Sequence, residues 1–240
     1  MSDLPEEPIS RGESAYRRLR ADIVVCRLEP GLRLTVEQLV AETGFGTSPL
    51  RDALMRLDAE GLVRTLPRKG YQVSTLTPKS VDDLLDLWGI VGPEMVRRGV
   101  ARVGAEQKRL AAASLEEIER VGGAAPGADT AERLVELLDR IFALLAEASG
   151  NAYLIALIRR LSGDLARVWM VVLTAESTDV AMEAADLLVR KILVQEDPDV
   201  AADISRRYLE SLRDQVRGAV SQWPSIANSQ ILPRGRKSLT

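Results

Sequence analysis

Apolar residues recur at helical spacing along almost the whole of this chain, and the period breaks once, between residues 62 and 75. No other feature limits the fold as much, because a 3.6-residue repeat and a two-residue repeat place side chains on incompatible faces. Before the break, Ala15, Leu19, Ile23 and Cys26 follow the i, i+4, i+8, i+11 pattern of one amphipathic helix over 13–26. The turn Glu29-Pro30-Gly31 ends it. Thr35 is placed to cap a second helix running to about Thr43, with Val36, Leu39 and Val40 inward and Gly44 closing it. Ser48 and Pro49 read as the cap and first residue of a third helix, whose Leu50, Ala53, Leu54 and Leu57 repeat at helical spacing until Gly61. Residues 62–66 and 71–75 then read as two short strands joined by Pro67-Arg68-Lys69-Gly70.

Beyond a linker at 76–79, with Thr77 or Ser80 capping the next helix, every pattern is helical: about 80–102, 105–121, 130–148, 151–174, 178–196 and 199–222. The expected fold is therefore mainly α. A winged helix-turn-helix of three helices and a β-hairpin occupies 9–76, an all-α helical bundle occupies 80–222, and a loose tail with Arg234, Arg236 and Lys237 occupies 223–240. Composition agrees, since 46% of residues are hydrophobic but only 4% aromatic, so the core is built from Leu, Val, Ile and Ala. Such residues favour packed helices.

The chain contains no histidine. That excludes Ser-His-Asp and Cys-His catalysis, His-ligated zinc and an imidazole base at neutral pH. No glycine-rich phosphate loop or nucleophile setting stands out either, and the chain reads as a non-enzyme without a cofactor. The single cysteine, Cys26, has no partner for an internal disulfide. The acidic start MSDLPEEPIS lacks a signal-peptide layout, and no apolar run approaches the ~18 residues needed to cross a bilayer. The expected location is cytoplasmic, with no membrane partner.

The net charge of -3 hides an asymmetry. Residues 9–76 hold eleven Lys/Arg against eight Asp/Glu, a balance of +3, which leaves -6 for the remainder. A basic module on an acidic body suits a DNA reader coupled to another unit. In a helix-turn-helix the second helix enters the major groove by its N-terminus, so polar and basic groups belong in its first turns. Thr47, Ser48 and Arg51 stand there, with Arg56 further along and Thr35 at the start of the preceding helix. Arg51 can meet a guanine edge or a phosphate. Arg68, Lys69 and Gly70 form the wing, where the glycine permits close approach to a sugar-phosphate backbone. Taken singly, Arg51 is equally an exposed helix residue and Arg68-Lys69 an ordinary charged hairpin tip; the ordered set carries the reading.

The stretch from Tyr16 to Leu76 resembles the DNA-binding domain of the GntR family. The matching residues are Tyr16-Arg17-Arg18-Leu19-Arg20, Leu28-Glu29-Pro30-Gly31-Leu32-Arg33-Leu34, Pro49-Leu50-Arg51-Asp52-Ala53-Leu54, Leu57, Glu60-Gly61-Leu62-Val63 and Pro67-Arg68-Lys69-Gly70-Tyr71-Gln72-Val73. The resemblance implies a homodimeric transcription regulator on double-stranded DNA with a pseudo-palindromic operator. The family's arginine two residues before the helix proline is Thr47 here, while Arg51 matches the other principal arginine.

Residues 80–215 resemble, more loosely, the helical ligand-binding (FCD) domain of the FadR branch. The resemblance rests on Glu94, Asp139-Arg140-Ile141-Phe142-Ala143, Ala148-Ser149-Gly150-Asn151, Asp197-Pro198 and Arg206-Arg207-Tyr208-Leu209. It implies a small-molecule effector, an organic acid or acyl thioester, and a metal held by one Asp and three His. Asp139 stands at the Asp position, and Ala143, Asp186 and Tyr208 at the histidine positions, so the expectation is that no transition metal is bound. The candidate effector contacts are Asp139, Arg140, Asp186, Tyr208 and Arg167. Asp139 lies on the border of its helix's apolar face, where a carboxylate is either solvated and paired or turned to the cavity. Trp88, Trp169 and Met170 read as core. An alternative reading is a constitutive, architectural dimeric DNA binder whose helical half has no effector.

Overall fold

The computed structural model describes residues 10–123, 127–175, 183, 184, 186–193 and 197–221. It divides into two compact units with the boundary between Thr75 and Leu76.

In the first unit, α1 (Arg11–Val24) buries Ala15, Leu19 and Ile23. Cys26 departs from the expected helix: the helix stops at Val24, and Cys26 turns into the left-handed region at φ 57°. The spacing of Cys26 matched the period by coincidence. α2 (Val36–Thr43) begins at a capping box in which the Thr35 hydroxyl accepts from the Gln38 N–H and the Gln38 side chain accepts from the Thr35 N–H, and it ends on Gly44 at φ 71°. α3 (Thr47–Ala59) buries Leu50, Ala53, Leu54 and Leu57, while Gly61 leaves it at φ 70°. Its cap is Gly46 rather than Ser48, which lies within the first turn. Pro49 is harmless there, because the first-turn amides have no intrahelical acceptor to lose.

The sheet has three antiparallel strands in the order β1-β3-β2: β1 (Arg33–Leu34), β2 (Val63–Leu66) and β3 (Gly70–Val73). β1, too short to show a period, was not expected. It is held by the pairings Arg33 with Gln72 and Leu34 with Tyr71, extended by 2.9 Å bonds from Gly31 N to Val73 O and from Val73 N to Leu32 O. Helices and sheet close on one core that includes Leu19, Leu34, Leu54, Leu62 and Val73.

The second unit comprises α4 (Pro78–Val100), α5 (Ala105–Gly122), α6 (Ala128–Ala148), α7 (Ala152–Ala175), a π-helical segment (Leu187–Leu193) and α8 (Pro198–Ser221). Thr77 caps α4 with Ser80 as the reciprocal partner. Asn151 Oδ1 accepts from the N–H groups of Tyr153 and Leu154 at the start of α7, and Asp197 Oδ1 accepts from Asp199 and Val200 at the start of α8. Both caps stand where the expected helical patterns 151–174 and 199–222 begin. Of the helix expected over 178–196, residues 183, 184 and 186 are α-helical and Leu187–Leu193 are π-helical, since seven residues are too few to separate a 3.6 from a wider period. The rest of that span, and the tail 223–240, lie outside the described residues.

α4 is the central element, packed against α6, α7 and α8. Arg213 pairs with Asp86 at 2.5 Å and Arg217 with Asp82 at 3.0 Å, joining α8 to α4 along their exposed edge. Beneath these pairs Trp88, Met95, Leu138, Ile141, Leu145, Trp169 and Val171 fill the interior, so Trp88, Trp169 and Met170 are core as expected.

Candidate functional site

In the first unit, α3 turns Thr47, Ser48, Arg51, Asp52 and Met55 outward on one face, opposite its buried leucines. Met55 is 61% exposed, an apolar group on a helix read from sequence for its charges alone. Arg51 shares an open cleft of about 620 Å³ with Thr35 at the start of α2 and with Arg68, Lys69 and Gly70 of the wing. Glu37 lines it too, so the cleft is basic but not uniformly so. Among the described residues, Arg51, Arg68 and Lys69 are exposed and none pairs with a carboxylate. Five of the eight expected residues thus meet at one place, and Thr47 and Ser48 flank it on the same helix.

Arg56 does not join them. Its guanidinium lies 3.7 Å from the centroid of the Tyr16 ring and bonds Glu13 at 2.7 Å, while the Tyr16 hydroxyl donates to Glu60 at 2.6 Å. Arg56 therefore ties α3 back to α1, on the side away from the helix's N-terminal turns. Burial first, and then the Glu60 carboxylate, push the Tyr16 phenol up to about 12. Helical spacing alone could not separate Arg51 from Arg56; the distant acid Glu13 and the aromatic Tyr16 decide between them.

Gly70 is required for a reason internal to the fold. It sits at φ 84°, and a Cβ there would collide with the Leu34 carbonyl oxygen on β1. The wing's turn runs Leu66-Pro67-Arg68-Lys69, closed by a 2.9 Å bond from Lys69 N to Leu66 O, with Arg68 at φ 62°. This is a type II turn with proline at its second position and arginine where glycine is preferred.

In the second unit, a cavity of about 30 Å³ lies among α4, α6, α7 and α8. Trp88, Met95, Phe142, Trp169, Leu209 and Leu212 form much of its wall, with the Trp88 and Phe142 rings edge to face at 5.4 Å. Tyr208 lines it with its hydroxyl buried and unpartnered among the described residues, and burial pushes that phenol well above its ordinary range. Asp139 is half-buried and lines a smaller cavity of about 10 Å³ with Ser162. Phe142, Leu165 and Trp169 belong to both walls and so partition the two spaces.

The other proposed effector contacts do not line either cavity. Asp186 gives its carboxylate to Arg190 at 2.8 Å, Arg140 is exposed, and Ala143 faces outward. Arg167 is fully buried but bonds Asp164 at 3.3 Å, and burial raises the Asp164 carboxyl against the pull of that arginine. Glu94 is clamped by Arg97 at 2.7 Å and Arg98 at 2.5 Å, which draw its carboxyl down to about 2. The four positions corresponding to a metal cage thus include one solvent-facing methyl and one carboxylate committed to an ion pair.

A winged helix-turn-helix whose exposed helix and wing share a basic cleft, followed by a helical unit, defines a DNA-binding transcription regulator rather than an enzyme. Residues 11–73 match the bacterial regulatory proteins of the gntR family, and residues 83–211 match the FCD domain. The chain belongs to the GntR family, in the group carrying an FCD domain. It is 25% identical over 203 residues to the HTH-type transcriptional repressor GlaR of Escherichia coli (strain K12), covering 81% of this chain and 90% of that protein. The uncharacterized HTH-type transcriptional regulator BphR of Paraburkholderia xenovorans (strain LB400) is 43% identical over 75 residues, 31% of this chain and 29% of that one. The fold of E. coli McbR/YncC matches with a TM-score of 0.72 at 15% identity, over 88% of this chain and 99% of that one. No described helix is long and apolar enough to cross a membrane.

Proposed function

We propose that this regulator acts as a homodimer on a pseudo-palindromic operator, and that a small molecule in the helical unit alters its grip. The convergence of unpaired Arg51, Arg68 and Lys69 on one cleft carries the DNA part of this reading. In that arrangement α3 presents Thr47, Ser48 and Arg51 to base edges in the major groove, while Arg68 and Lys69 neutralise phosphates beside it. The amides opening α3 add a favourable dipole for a phosphate. One such module offers few base contacts, and a two-fold axis doubles them.

The effector part rests on the cavity against Tyr208 and on the smaller space bearing Asp139. The experiment is a selection of genomic fragments by the full chain, then footprinting and light scattering. The expected outcome is an inverted repeat protected symmetrically by a dimer. A monomer that binds a single half-site at full affinity contradicts it.

A further inference from the structure

The cavity beside Tyr208 has a chemistry that the positions of the family's metal cage do not suggest. Among the described residues no charged side chain lines it, and apart from the indole edges its polar side chains are Ser205 and Tyr208. Asp139 lies beyond the partition formed by Phe142, Leu165 and Trp169, in the adjoining space, and the charge that acts on the Tyr208 phenol is another carboxylate, Glu183. A carboxylate entering the main cavity would lose its hydration with no cation among the described lining residues to meet it, and would approach a second carboxylate across that partition. An uncharged molecule faces neither cost. The buried Tyr208 hydroxyl supplies one donor and one acceptor that nothing among the described residues uses.

We infer that the helical unit takes an uncharged, largely apolar ligand with a single hydrogen-bonding group, a phenol, alcohol or ketone rather than an organic acid, and that Tyr208 Oη reads that group. This rests on the effector reading above and narrows its ligand class. At about 30 Å³ the space holds one or two waters, so the ligand enters by displacing wall side chains. The wall suits this. Met95 is flexible and adapts to shape, and Leu187 belongs to the π-helical segment, a form that recurs at functional sites.

The test uses three matched probes on the full chain at neutral pH: 4-propylphenol, 4-propylbenzoate and 4-propylbenzylamine. Binding is followed by calorimetry and by tryptophan fluorescence, since Trp88 and Trp169 are in the wall. The phenol is expected to bind at least about tenfold more tightly than either ion, the ratio that a modest unpaired-charge cost imposes. Tyr208→Phe should weaken the phenol by roughly three- to tenfold, the worth of one hydrogen bond. The same variant should melt at or above the wild-type temperature, because it removes a buried hydroxyl with no partner, and a merely structural Tyr208 would not pair that result with lost affinity. Benzoate or benzylamine binding as tightly as the phenol, no binding of any probe, or a Tyr208→Phe variant that binds the phenol like wild type would each overturn the inference. Operator affinity measured with the phenol bound separates the two ideas. An unchanged operator affinity sinks the effector reading while the ligand class stands.

Discussion

Arg68 occupies a left-handed backbone position at the tip of the wing, where an L side chain costs about 1–2 kcal/mol. Pro67 before it presets the turn, and the exposed guanidinium faces the cleft shared with Arg51. A strained residue that carries an exposed charge points to a use for the charge. Arg68→Gly should therefore keep or raise the melting temperature while weakening DNA binding evenly across sequences and flattening its salt dependence, as loss of a phosphate contact does. Tyr16 shows the opposite balance. Tyr16→Phe removes the bond to Glu60 and should destabilise the first unit by about 1–2 kcal/mol, measured by urea unfolding. Its phenol is raised from 10.0 to about 12 on folding, so the contribution is whole below pH 10 and fades as the pH climbs from 10 to about 12. The Phe variant should lack that alkaline loss. At this scale the sequence was legible where a residue acts locally, as with Thr35 and Gly44. It was opaque where the partner is distant: Arg56 depends on Glu13, 43 residues away, and Gly70 on the Leu34 carbonyl.

Two glycines of α4 separate packing from helix propensity. A Cβ on Gly99 would lie 2.9 Å from the Leu145 carbonyl oxygen and 3.3 Å from Leu145 Cδ2, so α4 and α6 meet there at a distance only glycine allows. Gly89 has nothing within 4 Å of the same point. Gly99→Ala should cost about 1–3 kcal/mol through forced repacking, and Gly89→Ala should stabilise by about 0.5–1 kcal/mol through propensity. Denaturant titration of each variant checks both, and equal effects would mean that the approach of α4 to α6 is not tight. The long periodic helices were legible because many residues vote for each, whereas the cap of α3, decided by one residue, is Gly46 and not the expected Ser48. β1 was not, because a two-residue strand has no period and exists through its pairing with β3. The π-helical segment was hidden for a related reason, its seven residues giving too little phase to tell one winding from another.

For the whole molecule, the order of a basic winged module before an acidic helical body was written in charge and period together, and the family in the residues between Tyr16 and Val73 that resemble it. The proposed ligand class was not, because the absence of charge from the described lining emerges only when Arg140 and Asp186 are seen to lie elsewhere. Centrally, we propose that the cleft shared by α3 and the wing reads DNA and that the Arg56 cluster does not. An anisotropy titration of the selected operator, at fixed salt and with folding checked by circular dichroism, tests this directly on Arg51→Ala and Arg56→Ala. Arg51→Ala should lose about 1–3 kcal/mol per half-site. Arg56→Ala should bind within about threefold of wild type and melt earlier, since an exposed cation–π contact and ion pair hold roughly 0.5–1 kcal/mol of stability. Wild-type affinity in Arg51→Ala, or an equal loss in Arg56→Ala, would contradict the assignment.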